Sequence, residues 1–251
     1  MKTTSMIKSI ALTVGLMASY SSHADFMQYT VDESAAYPSG GTLESDKING
    51  GYVETLVFDG AGNFTANAVA TFGLFYDKGL VVRGSGLNQA YSLYATFTAS
   101  ATVTPKADGF NFTGSEGEFK LFLDRDVDTT IDSVNTLNLL NTADDFFLGS
   151  SSTLGKNLGS YTVVDGVETT SFNFDFLDFS LTSDGEDFFV APRPFATELN
   201  VNGDFDAFNP SGSQVTTGDV SAQFYEVPEP STLTVLALGL LGLGAARRKA
   251  K

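Results

Sequence analysis

Between Leu123 and Asp132 the chain reads LDRDVDTTID. Asp124, Asp126, Asp128 and Asp132 fall at positions 1, 3, 5 and 9 of a loop, with the apolar Ile131 at position 8. Alternate carboxylates in a tight loop converge on one cation, and this is part of the spacing with which an EF-hand takes Ca2+. The match is incomplete. Thr129 stands where that loop needs glycine, Asn135 where it needs a bidentate glutamate, and Arg125 lies inside it. The same residues also fit a solvated acidic turn between two strands. Two further acidic groups, Asn202-Gly203-Asp204-Phe205-Asp206 and the trio Asp184, Glu186 and Asp187, are weaker ligand sets and ordinary turns. Ca2+ is thus the one cofactor the residues suggest.

Other site chemistries are excluded by composition. The chain has no cysteine, no tryptophan and one histidine, His23, in the N-terminal leader. Ser-His-Asp and Cys-His catalysis and His/Cys zinc sites therefore have no residues to work with. A pair of carboxylates could hydrolyse a glycoside, but no motif singles out a pair among so many acids. The expectation is a protein that is not an enzyme and has no catalytic residues, with a carboxylate glycosidase as the enzymatic alternative.

The elements that must position these groups are strands. Tyr91, Leu93, Ala95, Phe97, Ala99, Ala101 and Val103 alternate with Tyr94, Thr96, Thr98 and Thr102. That period of two predicts a half-buried strand. Phe119, Leu121 and Leu123 repeat it, as do Phe172, Phe174 and Phe176, after which Leu177, Phe179 and Leu181 continue on the other parity. A bulge or bend near Phe176-Leu177 would explain the slip. Residues 53–58, 64–75, 199–205 and 215–225 are further strand candidates. Turns are predicted at 59–63, 108–109, 165–166, 183–185 and 202–204. A short helix is expected around Ser133 to Leu140, a small-residue loop from Gly149 to Gly159, and a turn-rich segment from Asp25 to Gly51. The pattern predicts an all-β, antiparallel sandwich or jelly-roll-like single domain. A lipid-facing barrel also alternates, but Asp and Gly scattered through the strands argue against it.

The two ends carry addresses. Lys2 and Lys8, the apolar run Ile10 to Tyr20, and Ser22-His23-Ala24 have the layout of a secretory signal peptide, residues 1–24, cut between Ala24 and Asp25. Residues 25–226 form the extracellular domain. At 227–251, Val227-Pro228-Glu229-Pro230-Ser231 is followed by an apolar segment, Leu233 to Ala246, and by Arg247, Arg248, Lys249 and Lys251. Fourteen helical residues would span roughly 21 Å, short of the roughly 30 Å core of a bilayer. The tail is expected to enter the inner membrane transiently as a short hydrophobic helix, with its basic end held on the cytoplasmic side.

Charge separates these regions. The chain has 14 basic and 30 acidic residues. Setting aside Glu229 and the six basic residues of the two signals leaves 8 basic and 29 acidic, a net charge of −21. Such a surface repels nucleic acid and anionic membrane and gathers cations.

The PEP tripeptide, the apolar run and the basic cluster, in that order, resemble a PEP-CTERM sorting signal. The resemblance implies handling by exosortase, a membrane protease of bacteria that make extracellular polysaccharide, and cleavage near the motif. A longer resemblance covers most of the mature chain. Asp46-Lys47-Ile48-Asn49-Gly50-Gly51-Tyr52, Tyr91 to Phe97, Thr142-Ala143-Asp144-Asp145-Phe146, Val201 to Asp206 and Thr217-Gly218-Asp219-Val220-Ser221-Ala222 appear in order. With the tail, these blocks resemble the flocculation-associated PEP-CTERM protein family. This implies a secreted protein needed for cells to form flocs in exopolysaccharide, with polysaccharide, other cells or matrix proteins as partners. It implies no catalytic residue. A carbohydrate-binding module with Ca2+-assisted ligand binding is the alternative.

Overall fold

The computed structural model describes residues 26–225, apart from 207 and 210. The signal peptide, its cleavage site at Ala24 and Asp25, and the tail from Val227 through Arg247, Arg248 and Lys249 lie outside the described residues.

Strands β1 (Tyr29–Asp32) and β2 (Thr42–Ser45) flank a single 3-10 turn at Glu33–Ala35. Four long strands follow: β3 (Lys47–Phe58), β4 (Asn63–Asp77), β6 (Ser92–Lys106) and β7 (Gly109–Asp124), with β5 (Leu80–Val81) between β4 and β6. A small hairpin, β8 (Thr130–Ile131) and β9 (Leu139–Leu140), precedes β10 (Phe146–Ser151), β11 (Thr153–Val164) and β12 (Val167–Leu177). Then come β13 (Ser180–Leu181), the helix α1 (Ser183–Phe188), β14 (Phe189–Ala191), β15 (Glu198–Gly203) and β16 (Ser213–Tyr225).

The domain is all-β and sandwich-like, with one short helix. Its main sheet is antiparallel throughout and follows chain order, β3-β4-β6-β7 on one side and β11-β12-β15-β16 on the other. β16 pairs with β3 along ten residues, Ser213 opposite Val57 to Ala222 opposite Ile48. The opposite seam closes where Gly109 to Phe112 of β7 pair with Thr162 to Gly159 of β11. The sheet therefore folds back into a ring of eight strands, which removes its exposed edges along this seam. The seam depends on glycine. A Cβ on Gly159 would sit 1.8 Å from the Phe112 ring, and one on Gly109, at φ +149°, 2.1 Å from the Tyr161 carbonyl oxygen.

Alternation then sorts the side chains. On β4, Phe64, Ala66, Ala68 and Phe72 are buried while Thr65, Asn67 and Thr71 face water. On β7, Phe119, Leu121 and Leu123 are buried and Glu118 and Lys120 point outward, joined by a 2.7 Å ion pair. Apolar inside and polar outside is the reverse of a lipid-facing barrel.

The two ends of the ring differ. At one, the connections at Asp59–Gly62, Ala107–Asp108 and Asp165–Gly166 are tight turns, and the β15–β16 connection folds over the mouth. Phe208 from that connection lies 5.0 Å from Phe110 and 5.1 Å from Phe205, centroid to centroid. At the other, β1, β2 and β14 form a three-stranded cap. There Phe224 meets Tyr29 at 5.3 Å, Phe195 at 4.8 Å and Phe179 at 5.4 Å. Phe26 bridges to Tyr225 with stacked rings 4.9 Å apart, so the first and last described residues lie side by side.

Three local expectations change. No helix forms at Ser133–Leu140; Asp132 organises a turn there and β8 pairs with β9. The helix lies at Ser183–Phe188, where Thr182 caps it by accepting the Gly185 amide at 3.1 Å and Asp184 and Glu186 occupy its first turn. Gly149–Gly159 is strand, not loop, because its glycines allow close packing against Phe112, Leu177 and Phe179. The parity slip after Phe176 is a bend: β12 ends at Leu177 and Asp178 turns the chain at φ +55°.

Candidate functional site

The acidic loop leaves the end of β7. Asp124 is buried, 1% exposed, and its carboxylate organises the loop. It accepts the amides of Asp126 at 2.9 Å, Val127 at 2.8 Å and Thr129 at 3.0 Å, and the Ser92 hydroxyl at 3.1 Å. Burial alone would push this carboxyl up, but the bonds from Thr129, Asp126, Ser92 and Val127 together hold it below its usual range. Asp132 organises the following turn in the same way. It accepts from the Thr136 hydroxyl at 2.5 Å, the Ser133 amide at 2.6 Å and both the amide and side-chain nitrogens of Asn138. Those bonds, led by Thr136 and Asn138, lower its pKa.

Asp126 and Asp128 remain exposed. Asp128 lies above the usual carboxylate range, through desolvation first and then through the charges of Asp144, Asp124, Asp126 and Asp145. Asp144 and Asp145 reach this neighbourhood from the β9–β10 connection. Asp145 also accepts the Tyr94 hydroxyl at 2.5 Å and the Thr129 hydroxyl at 2.9 Å. Arg125 turns away, giving its Nε to the Ala36 carbonyl at 3.0 Å and lying over the Phe146 ring. Among the described residues, no group of three or more His, Cys, Asp or Glu side chains is placed to hold a metal ion. The other acidic turns are also tied to structure. Asp204 accepts the Asp219 amide at 3.0 Å and Asp206 the Thr217 hydroxyl at 2.6 Å.

Two places that spacing did not single out carry more chemistry. The first is an outer cleft of about 630 Å3 over β3, β4, β12, β15 and β16. Asparagines ladder across it and its flank. Asn202 donates to Asn200, which donates to Asn173 at 2.5 Å and Asp175 at 2.7 Å, and Ser221 donates to Asn49 at 2.9 Å. Fixed amides and carboxylates at the wall of a cleft can meet a polyol. The sequence signal was there: Asn200, Asn202 and Asn173 all fall on the polar parity of their strands.

The second is the interior of the ring. Tyr52, Glu54 and Leu56 of β3 line an apolar cavity. The Tyr52 hydroxyl is spent on the Asp204 carbonyl oxygen at 2.8 Å. Glu54 has no hydrogen-bond or ion-pair partner among the described residues. Burial pushes its carboxyl up to about 8, so it is mostly neutral at pH 7. Glu54 is partly exposed and is one of the residues that line the cavity. A lone acid on the apolar parity of a strand was the signal for it.

No curated protein and no solved structure matches the chain. A family model does: the PEP-CTERM protein-sorting motif matches residues 226–249. The chain thus carries, at the tail, the motif that marks exported proteins sorted by exosortase.

Proposed function

We propose that the protein acts outside the cell as a non-enzymatic matrix component that promotes flocculation or biofilm formation with exopolysaccharide. The observation that carries this reading is the sorting motif over residues 226–249, since it directs an acidic, cysteine-free β-domain to the surface of a cell. The tail enters the inner membrane transiently, exosortase cuts near Pro228-Glu229-Pro230, and the domain is left outside to link polymer, cations and other cells. Its net charge of −21 between the two signals favours divalent-cation bridging to acidic polymer, a contact that weakens with salt or chelator.

A deletion strain complemented with the whole gene, and separately with a gene lacking residues 228–251, tests the role. Floc formation should fail in the deletion, return with the whole gene, and stay absent without the tail. Normal flocs in the deletion strain would overturn the reading.

The asparagine-lined cleft favours a second reading, a carbohydrate-binding module. Saturable binding to purified exopolysaccharide that survives chelator would select direct recognition through the cleft. Binding lost with chelator would select cation bridging or a Ca2+-assisted site, for which Asp124, Asp126, Asp128 and Asp132 are the candidates.

A further inference from the structure

The interior wall is unevenly filled. Ala66, Ala68 and Ala70 of β4 stand beside Ala99, Phe97 and Ala95 of β6 in register. Five of these six side chains are alanine, Phe97 stacks on Phe174 of β12 at 5.8 Å, and all six line a cavity that the alanines leave open. The cavity measures about 60 Å3, counted at the centre of a water-sized sphere. One water needs roughly 10–15 Å3 on that measure, and a water held inside a protein also needs two to four polar partners. Among the described lining residues, one side-chain polar group is without a partner, the carboxyl of Glu54. Among the described residues the other titratable side chain on it is Tyr52, whose hydroxyl is already donated to the Asp204 carbonyl oxygen. The space is therefore large enough for water and too apolar to hold it well, while a half-buried carboxyl on its wall has no partner among the described residues. An unmet buried polar group is costly, and a simple packing role would be served better by leucine.

We propose that the ring interior is a binding site for a slender apolar amine, with its hydrocarbon along the alanine strip and its nitrogen on Glu54. An acid calls for a basic or donor group, and the charge-assisted bond is the stronger of the two. The charge of the whole domain points the same way, since it attracts a cation and repels a carboxylate. The proton balance follows. Below pH 8 the free amine carries an extra proton and Glu54 carries one, two in all on the pair. The bound pair shares one fewer, whether as ammonium with carboxylate or as amine with carboxylic acid. Binding thus releases one proton to solvent.

The test is calorimetry on the intact exported protein at about pH 6.5, in two buffers of different ionisation enthalpy, with n-hexylamine, n-hexanol and hexanoate as probes. Hexylamine should bind tightest and release about one proton, hexanol should bind without proton release, and hexanoate should bind weakest. Glu54→Gln keeps the shape, and should weaken hexylamine at least about tenfold while changing hexanol less than about twofold. Ala68→Leu fills the strip and should weaken both amine and alcohol by about tenfold or more. Circular dichroism and a melting curve check that each variant is folded. Hexylamine binding no tighter than hexanoate, without proton release, or indifferent to Glu54→Gln would overturn the proposal. No binding of any probe would also overturn it, leaving an apolar packing defect.

Discussion

Glu33 and Glu54 are both withdrawn from bulk water, one in the cap and one in the ring, and they are treated in opposite ways. Glu33, 3% exposed, accepts the Tyr91 hydroxyl at 2.7 Å, the Ser85 hydroxyl at 2.6 Å, the Gly86 amide at 3.0 Å and the Tyr37 hydroxyl at 3.3 Å. It ties the first 3-10 turn to the β5–β6 connection and so fixes the cap. Its neighbour Tyr91 is raised well above its ordinary pKa, by desolvation first and then by Glu33. Glu54 has no such partners and faces a cavity. A buried carboxylate with several donors is part of the architecture, whereas one without donors is either a defect or a site.

Glu33→Ala should have the largest effect. It leaves three hydroxyls and an amide without their acceptor in the cap, a loss of about 3–5 kcal/mol in urea unfolding. A loss under about 1 kcal/mol would erase the contrast with Glu54. Glu54→Gln should act with the opposite sign. Glu54 is raised to about 8 in the fold, against about 4.3 unfolded. Between those values the unfolded chain releases a proton that the folded chain keeps, so stability falls as pH rises through this window. Below it both states are protonated and the penalty vanishes. Glu54→Gln should therefore stabilise by a few kcal/mol at about pH 8 and by almost nothing at about pH 4. A pH-independent difference would place Glu54 in water.

Asp124→Ala sharpens the comparison from a third position, a buried acid fully used by its own loop. It should cost about 2 kcal/mol and expose the Val127 and Thr129 amides to faster hydrogen exchange. The smallest effect belongs to Asp126→Ala/Asp128→Ala. Both side chains are exposed, so stability should stay within about 0.5 kcal/mol. On the Ca2+ reading, calcium raises the melting temperature of the parent and not of this variant. An equal rise in both puts the ion elsewhere.

Much of the fold was legible because strands and turns are local. The phenylalanines at 172, 174 and 176 and the alternation from Tyr91 to Val103 predicted β12 and β6, and the Asp-Gly pairs predicted their hairpins. The helix was misplaced because Thr182-Ser183-Asp184-Gly185 reads equally as a turn and as a cap. The glycines of β11 read as a loop because close packing leaves the same signature as flexibility. Of the acidic loop, the spacing gave the residues but not their use: Asp124 and Asp132 look like ligands in sequence and serve as acceptors for backbone amides in the fold.

The sequence by itself determined the class of fold, the acidic and cysteine-free surface, and the sorting motif at the tail, because each is written in residues close together in the chain. Which acids are buried and partnered was decided only in three dimensions. Glu54 shares a parity with Tyr52 and Leu56, but that face becomes an interior only when Gly109–Phe112 meet Gly159–Thr162. Closure joins strands some fifty residues apart, and alternation, with its period of two, gives the faces of a strand without saying what either one will meet.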